Sequence, residues 1–466
     1  MTLSRQFAAF VADLGYDDLP EAVVDRAKGV TLQALSSALV AHDMPASRQA
    51  LALMQEEEAG GGGAATVLCH GVKLTKAGAA FVNAETIFAG GKWDTFRMLT
   101  HPGTAILPAA LAAAETTGAS GKEFLTGIAA GYEVMERMAS EFIPTVMSRG
   151  FHAGPVFGIF GAAVAAAKIQ GLDAEQIHGA IAQCVNLASG NLEGIRSGGR
   201  SLREGGAVRN ALLAVALAKH GTPGGETVLE GEAGFYHAYA GNNRGELRYS
   251  FTGANRADIA AITDGLGRDW MFLETLYRIY STAGYNIAHI DVTARLVEEH
   301  GITYDRIERI EAVVNWLETE YPSPAFPIPS RGIEESPKVG STQYFTAYGA
   351  ATRGFPMLRQ ATPGPGETDP PEVLELTQRV TLIPAVRRTL FGPRITVFTK
   401  DGRSYTREGT GREFIWDFEE QARRIRPVGP GIAIGEPQFD RLIDSCRDLD
   451  TLDRAAETLI ALTVPG

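Results

Sequence analysis

At 466 residues the chain is long enough for a large core and for two or three domains. It is 45% hydrophobic and 21% charged with a net charge of −12, so it lacks the clustered Lys and Arg that a broad nucleic-acid surface needs. Its three cysteines form no CxxC pair, which argues against a disulfide framework and a thiolate zinc site.

The start, MTLSRQFAAFVADLGYDDLP, has no basic segment followed by an apolar core, so no secretory signal is expected and the cytoplasm is the expected compartment. From Leu3 to about Gly241 the texture is helical. Leu19-Pro20 precedes EAVVDRAKGVTLQALSSALVAH, in which Val23, Val24, Ala27, Val30, Leu32, Leu35 and Leu39 recur near the helical period. Gly60 to Gly63 reads as a surface loop. Further helices are predicted over 73–89, 104–117, 121–140, 154–170, 174–189 and 205–219. Ser120 with Glu123, and Asp173 with Glu175, mark two of the starts. These segments are rich in Ala and Gly, which lets helix backbones approach closely and predicts a compact α bundle. The longest apolar stretch, Gly154 to Ala167, is too short and too Gly/Ala-rich to span a bilayer of about 30 Å, so no membrane contact is expected.

After Trp270 the pattern shifts. Residues 308–317 read as a strand preceded by a short helix, and the proline-rich 321–340 as loop. Two alternating runs around Asp401-Gly402, over 394–407, predict a hairpin. Helical periodicity returns from Pro437 to Leu462. The expectation is a mainly α protein: a large all-α domain over 1–268 and 410–466, interrupted by a smaller α+β domain over 269–409.

Five polar clusters stand out. Asp94, Thr95, Arg97 and His101 precede the 104–117 helix, with His101 held beside Pro102 and Gly103. His152 lies in a second rigid turn, GFHAGP, ahead of another Gly/Ala-rich helix. Either acid or hydroxyl alone reads as a helix cap. Two histidines presented alike at two helix entrances point instead to a site, since imidazole exchanges protons near neutral pH and helix N-termini attract anions. Arg196, Arg200, Arg203 and Arg209 form a lysine-free basic run, suited to bidentate grip on carboxylate or phosphate. Tyr277, Arg278, Tyr280 and His289 make a fourth cluster, and QYFTAY, ending in Tyr348, a fifth in which packing is the plainer role.

In order and context these clusters resemble the MmgE/PrpD family, which includes 2-methylcitrate dehydratase, cis-aconitate decarboxylase and iminodisuccinate epimerase. The likeness is densest in AAFVNAETIFAGGKWDT, THPGTAILPAALAAAE, GFHAGPVFGIFGAAVAAAKI and LREGGAVRNALLAVALAKHG. It implies a large helical domain with an α+β lid and the active site between them, a homodimer, no required cofactor or metal, and di- or tricarboxylate substrates. Asn83, Asp94, Thr95, His101, His152 and Tyr348 match family positions, whereas Phe88 stands where the family has a His, and Gly91 and Trp93 where it has Asp. The usual Lys-Pro-Leu-His reads Arg200-Ser201-Leu202-Arg203, and the lysine of the lid junction falls on Arg278.

Arginine is no base near neutral pH, so Arg200, Arg203 and Arg278 are expected to bind carboxylates and to stabilise an enediolate-like dianion, with Thr95 as a further binding residue. Proton transfer is left to His101, His152, Asp94 and Tyr348. The leading expectation is a cofactor-independent lyase of the dehydratase type. An epimerase or isomerase of a dicarboxylate, a cis-aconitate-type decarboxylase and a catalytically silent polycarboxylate binder stay open beside it.

Overall fold

The computed structural model describes the chain apart from residues 60–61, 92–93, 197–202, 280–281, 328–336 and 355–369, and apart from the side chains of Ile195, Arg196 and Pro430. Arg200, Trp93, Tyr280, part of the Gly60 to Gly63 loop and much of the 321–340 segment therefore lie outside the described residues.

The chain divides into two units: Met1–Leu247 with Arg256–Ile279 and Asp417–Gly466, and Arg248–Asn255 with Tyr280–Trp416. Helices dominate the first: α1 (Leu3–Asp13), α2 (Glu21–Ala41), α3 (Pro45–Glu57), α4 (Lys76–Ala89), α5 (Gly103–Thr117), α6 (Gly121–Ala139), α7 (Ile143–Ser148), α8 (Ala153–Ile169), α9 (Ala174–Leu187), α10 (Arg203–Lys219) and α11 (Phe235–Ala240). Its strands are two-residue pairs: β1 (Ala65–Thr66) with β2 (Lys73–Leu74), and β3 (Asp94–Thr95) with β4 (Leu276–Tyr277). The second unit holds α12 (Gly284–Glu299), α13 (Trp316–Thr319), α14 (Thr342–Thr352) and α15 (Pro371–Thr377) beside β5 (Ile307–Asn315), β6 (Val380–Ala385), β7 (Arg394–Thr399) and β8 (Ser404–Glu408). The chain then returns to the first unit with α16 (Phe418–Ile425), α17 (Gly435–Arg447) and α18 (Ala455–Thr463).

The starts of the helices follow the local chemistry. Ser120 and Glu123 cap α6 reciprocally, and Asp173 caps α9 with Gln176, one residue beyond the expected Glu175, as its reciprocal partner. Every residue of α5 from Gly103 to Ala114 and of α8 from Ala153 to Ala167 is buried. Such all-round apolar helices lie inside the bundle rather than on it. The consequence for function is rigidity: the turns that lead into α5 and α8 are anchored to helices enclosed along most of their length.

In the second unit the sheet runs β6-β5-β7-β8, with β5 parallel to β6 and antiparallel to β7. Ile310, Ala312, Val314, Ile395 and Val397 from the sheet pack on Ile290, Val297 and Phe345 from α12 and α14. The expected 308–317 strand stops at Asn315, because Asn315 Oδ1 accepts the Leu317 N–H at 3.1 Å and turns the chain into α13. The short helix expected ahead of it is a single 3-10 turn, Tyr304–Arg306. The hairpin forms around Asp401-Gly402 as expected, with Gly402 at a φ of 80°. No helix among the described residues is long and apolar enough to cross a membrane.

Candidate active site

The connection from α4 to α5 is pinned at both ends. β3 pairs with β4 so that Asp94 faces Tyr277, which brings Arg278 beside this stretch. Arg278 is buried, donates from Nη2 to the Gly91 carbonyl at 3.2 Å, and its own carbonyl accepts from Gln33 Nε2 at 2.7 Å. Between β3 and His101 the backbone enters the left-handed region at Arg97 (φ 54°) and Leu99 (φ 57°), which side chains rarely adopt and which marks this segment as conformationally costly. An Arg97–Glu274 ion pair at 2.6 Å holds it down.

The Asp94 carboxylate accepts the Gly103 N–H at 2.9 and 3.1 Å and the Tyr132 hydroxyl at 2.6 Å. It thereby ties the first turn of α5 to α6. Gly103 is required by this closeness, because a Cβ there would sit 2.7 Å from Tyr132 Oη and 2.9 Å from Asp94 Oδ1. Burial pushes the Asp94 carboxyl up to about 6, against the opposing hydrogen bonds and the nearby Arg278 charge.

The two histidine turns differ in what they offer the imidazole. His101 Nδ1 lies 3.0 Å from the Asp94 carbonyl oxygen, which can only accept, so Nδ1 carries the proton and Nε2 is the basic nitrogen. Thr95 Oγ1 is 3.4 Å from the same nitrogen, a weak contact. His152 is the N-cap of α8, and its Nδ1 accepts the Gly154 N–H at 3.1 Å. An amide can only donate, so His152 Nδ1 is unprotonated and the neutral ring carries its proton on Nε2. Backbone bonds fix this second turn, with His152 N–H donating to the Gly190 carbonyl at 3.0 Å and Leu192 N–H to the Gly150 carbonyl at 2.8 Å. The two rings are thus held in opposite tautomers.

Glu204, in the first turn of α10, links these turns. Its Oε2 lies 3.3 Å from Thr104 Oγ1, a hydroxyl that also donates to the His101 carbonyl at 2.7 Å. A Cβ built on Gly154 would meet His152 Nδ1 at 3.1 Å and Glu204 Oε1 at 3.4 Å. The starts of α5, α8 and α10 therefore converge, with His101, His152 and Arg203 at the three entrances. Side chains already take first-turn N–H groups at each entrance, Asp94 that of Gly103, His152 that of Gly154 and Glu85 that of Gly205, so an anionic guest would draw on the helix dipoles and on Arg203. Arg203 donates from Nε to Glu204 Oε1 at 3.1 Å, its side chain is only 7% exposed, and its guanidinium lies 5.2 Å above the Phe88 ring. Phe88 and Arg203 are thus in direct contact.

Of the residues singled out from sequence, Asp94, Thr95, His101, His152, Arg203 and Arg278 belong to the first unit and to the segments just described. Arg200 lies outside the described residues, and Arg209 points out to solvent. Tyr348 is in the second unit, where it is half-buried against the sheet–helix core, and its ring lies 6.0 Å from that of Tyr344. His289, in the same unit, is fully buried with Nδ1 2.8 Å from Thr346 Oγ1. Asn83 bridges the β1 segment, donating to the Thr66 carbonyl at 3.1 Å and accepting the Leu68 N–H at 2.8 Å. Sequence reasoning missed Glu204 and Glu85. Glu85 Oε1 accepts the Gly205 N–H at 2.7 Å, and burial pushes its carboxyl up to about 8. Glu85 stands in an otherwise apolar run from Phe81 to Phe88 apart from Asn83 and Thr86, a lone acid that composition flags.

Comparison with known proteins supplies kinship. A model of the MmgE/PrpD N-terminal domain matches residues 5–248, just over half of the chain. The chain is 25% identical over 306 residues to a cis-aconitate decarboxylase-like protein of Aspergillus oryzae, covering 63% of this chain and 61% of that protein. It is 29% identical over 247 residues to the cis-aconitate decarboxylase of Homo sapiens, covering 51% and 50%. With that of Aspergillus terreus it shares 26% identity over 392 residues, covering 81% and 78%. The chain thus spans 61% and 50% of the first two relatives' own lengths.

Proposed function

The chain belongs to the MmgE/PrpD family, and on that premise we propose that it is a lyase acting on a small di- or tricarboxylate, of the dehydratase type. One observation carries this reading: the opposite tautomers of His101 and His152 at adjoining helix entrances. His101 Nε2 is the base that takes the proton from the carbon next to a carboxylate. The electron pair of that C–H bond moves into the carboxylate and forms an enediolate-like dianion, which the arginines Arg203, Arg200 and Arg278 stabilise. Neutral His152, seated at a helix N-terminus that disfavours imidazolium, donates from Nε2–H to the oxygen where charge accumulates. The β carbon–oxygen bond then breaks, the dianion's electrons form the double bond, and the leaving hydroxide takes the proton from His101 to depart as water. The steps balance without Tyr348, with Asp94 as a positioning group for the His101 turn.

A carboxy-lyase is the second reading, favoured by the names of the relatives. There the dianion arises by loss of CO2, and a protonated His101 supplies hydrogen to the carbon. A two-base epimerase fits less well, because accepting the Gly154 N–H ties His152 to the role of donor.

Incubating the protein with citrate, 2-methylcitrate and cis-aconitate in deuterated water separates these readings. The proposal expects alkene from the hydroxy acids and, through the reverse hydration, solvent deuterium at the α carbon of the hydroxy acid. Release of CO2 from cis-aconitate alone supports the carboxy-lyase. Deuterium incorporation without alkene or CO2 supports the epimerase. Thermal stabilisation by all three acids with no exchange at any carbon leaves a silent binder and overturns catalysis. The resemblance also implies a homodimer, which sedimentation checks, a monomer at all concentrations contradicting it.

A further inference from the structure

Two buried polar atoms beside α10 lack hydrogen-bond partners among the described residues: Glu85 Oε2 and Arg203 Nη1. Glu85 is 1% exposed and the Arg203 side chain 7%. They are neighbours through their surroundings. Glu85 Oε1 holds the N–H of Gly205, two residues beyond Arg203, while the Arg203 guanidinium rests over Phe88, one turn along α4 from Glu85. Leaving a buried acceptor and a buried N–H donor unmet is costly, so the pair of atoms calls for a guest.

Resting on the polycarboxylate reading above, we propose that Glu85 and Arg203 together grip one carboxylate of the substrate, Glu85 in its acid form donating from Oε2 to one oxygen and Arg203 donating from Nη1 to the other. Oε1 of Glu85 is already committed to the Gly205 amide, so Oε2 is the oxygen that presents the hydrogen. The position of Glu85 favours the acid form, since burial pushes the carboxyl up to about 8. The charges that act on it come from α10: Glu204 raises it further and Arg203 opposes. Of the other helices packed on α4, α3 sets Glu58 against Gly78, two turns before Glu85, α2 sets Ser37 against the end of α4, and α5 reaches the cluster through Thr104. A carboxylate offers an acceptor to each donor. A carboxamide offers one acceptor and turns a donor toward the guanidinium, so this pair selects acids over their amides.

Calorimetric titration with citrate tests the assignment in the wild type, Glu85→Gln and Glu85→Leu. The glutamine amide keeps both bonds of the protonated acid, accepting from Gly205 and donating to the ligand. Wild-type Kd is expected to rise by up to about tenfold per pH unit above pH 8, as Glu85 ionises beside the anion. Glu85→Gln binds as tightly as wild type at pH 7 and stays flat across this range, whereas Glu85→Leu binds about tenfold to hundredfold more weakly at pH 7. Equal affinity in Glu85→Leu, or an unchanged pH profile in Glu85→Gln, overturns this inference and leaves the lyase reading intact. If Glu85→Leu does not fold, the Glu85→Gln profile alone decides. Absence of binding of citrate, 2-methylcitrate and cis-aconitate by wild type overturns the polycarboxylate reading and this inference with it.

Discussion

The turns around His101 and His152 look alike in sequence, each a histidine within two residues of Gly before a small-residue helix, yet they fix their rings by opposite means. The His101 turn is held by a side chain, the Asp94 carboxylate that binds Gly103 and Tyr132, and it offers the imidazole a carbonyl. The His152 turn is held by backbone bonds to Gly190 and Leu192 and offers an amide. The lesson is that the partner of Nδ1 decides which histidine is basic, and residue type alone does not.

The largest effects separate the two turns by chemistry. His101→Ala and His152→Ala are each expected to lower kcat/KM by roughly 10^2 to 10^4. Glutamine discriminates: His152→Gln keeps a donor and recovers part of the loss, whereas His101→Gln recovers nothing. Equal behaviour of the two glutamine variants in steady-state kinetics would break the comparison. Arg203→Met, at the third entrance, should lower kcat/KM by about tenfold to hundredfold, raising KM through the lost carboxylate contact and lowering kcat through the lost support of the dianion.

Stability sharpens the contrast. Asp94→Ala is expected to cost about 1–3 kcal/mol, because it leaves Tyr132 Oη and the Gly103 N–H unmet. Asn191→Ala, beside the backbone-held His152 turn, removes only the exposed side chain whose Oδ1 accepts the Glu193 N–H at 2.8 Å and should cost about 0.5–1 kcal/mol, and denaturant melts check both. Glu85→Gln shifts stability with pH. The unfolded chain releases the Glu85 proton near its ordinary 4.5 and the folded protein near 8, so this contribution is full below 4.5 and is lost as pH rises to 8. The melting temperature of the glutamine variant should therefore gain on wild type between pH 5 and 8, and parallel curves would contradict the burial argument. The smallest effect is expected at Thr95→Val, whose long contact with His101 predicts activity within about threefold of wild type.

Helix positions were legible because Pro102, Ser120, His152 and Asp173 punctuate strong apolar runs. The convergence of α5, α8 and α10 was not, since it depends on packing among elements far apart in the chain. Glu204 reads as an ordinary first-turn acid, and only the fold sets it against Thr104 and Gly154. The arginine run looked uniform, yet Arg203 is enclosed and Arg209 faces water. The two-residue strands that bring Arg278 beside Asp94 have no periodicity to betray them. Tyr132 reads as packing in an apolar helix, while its hydroxyl meets the buried acid.

Nitrogen-15 NMR of the histidine side chains at pH 7, assigned with His101→Ala and His152→Ala, tests the opposite tautomers most directly. The expected spectrum shows the proton on Nδ1 of His101 and on Nε2 of His152. A shared tautomer, or an imidazolium at His152, would contradict the assignment of base and donor.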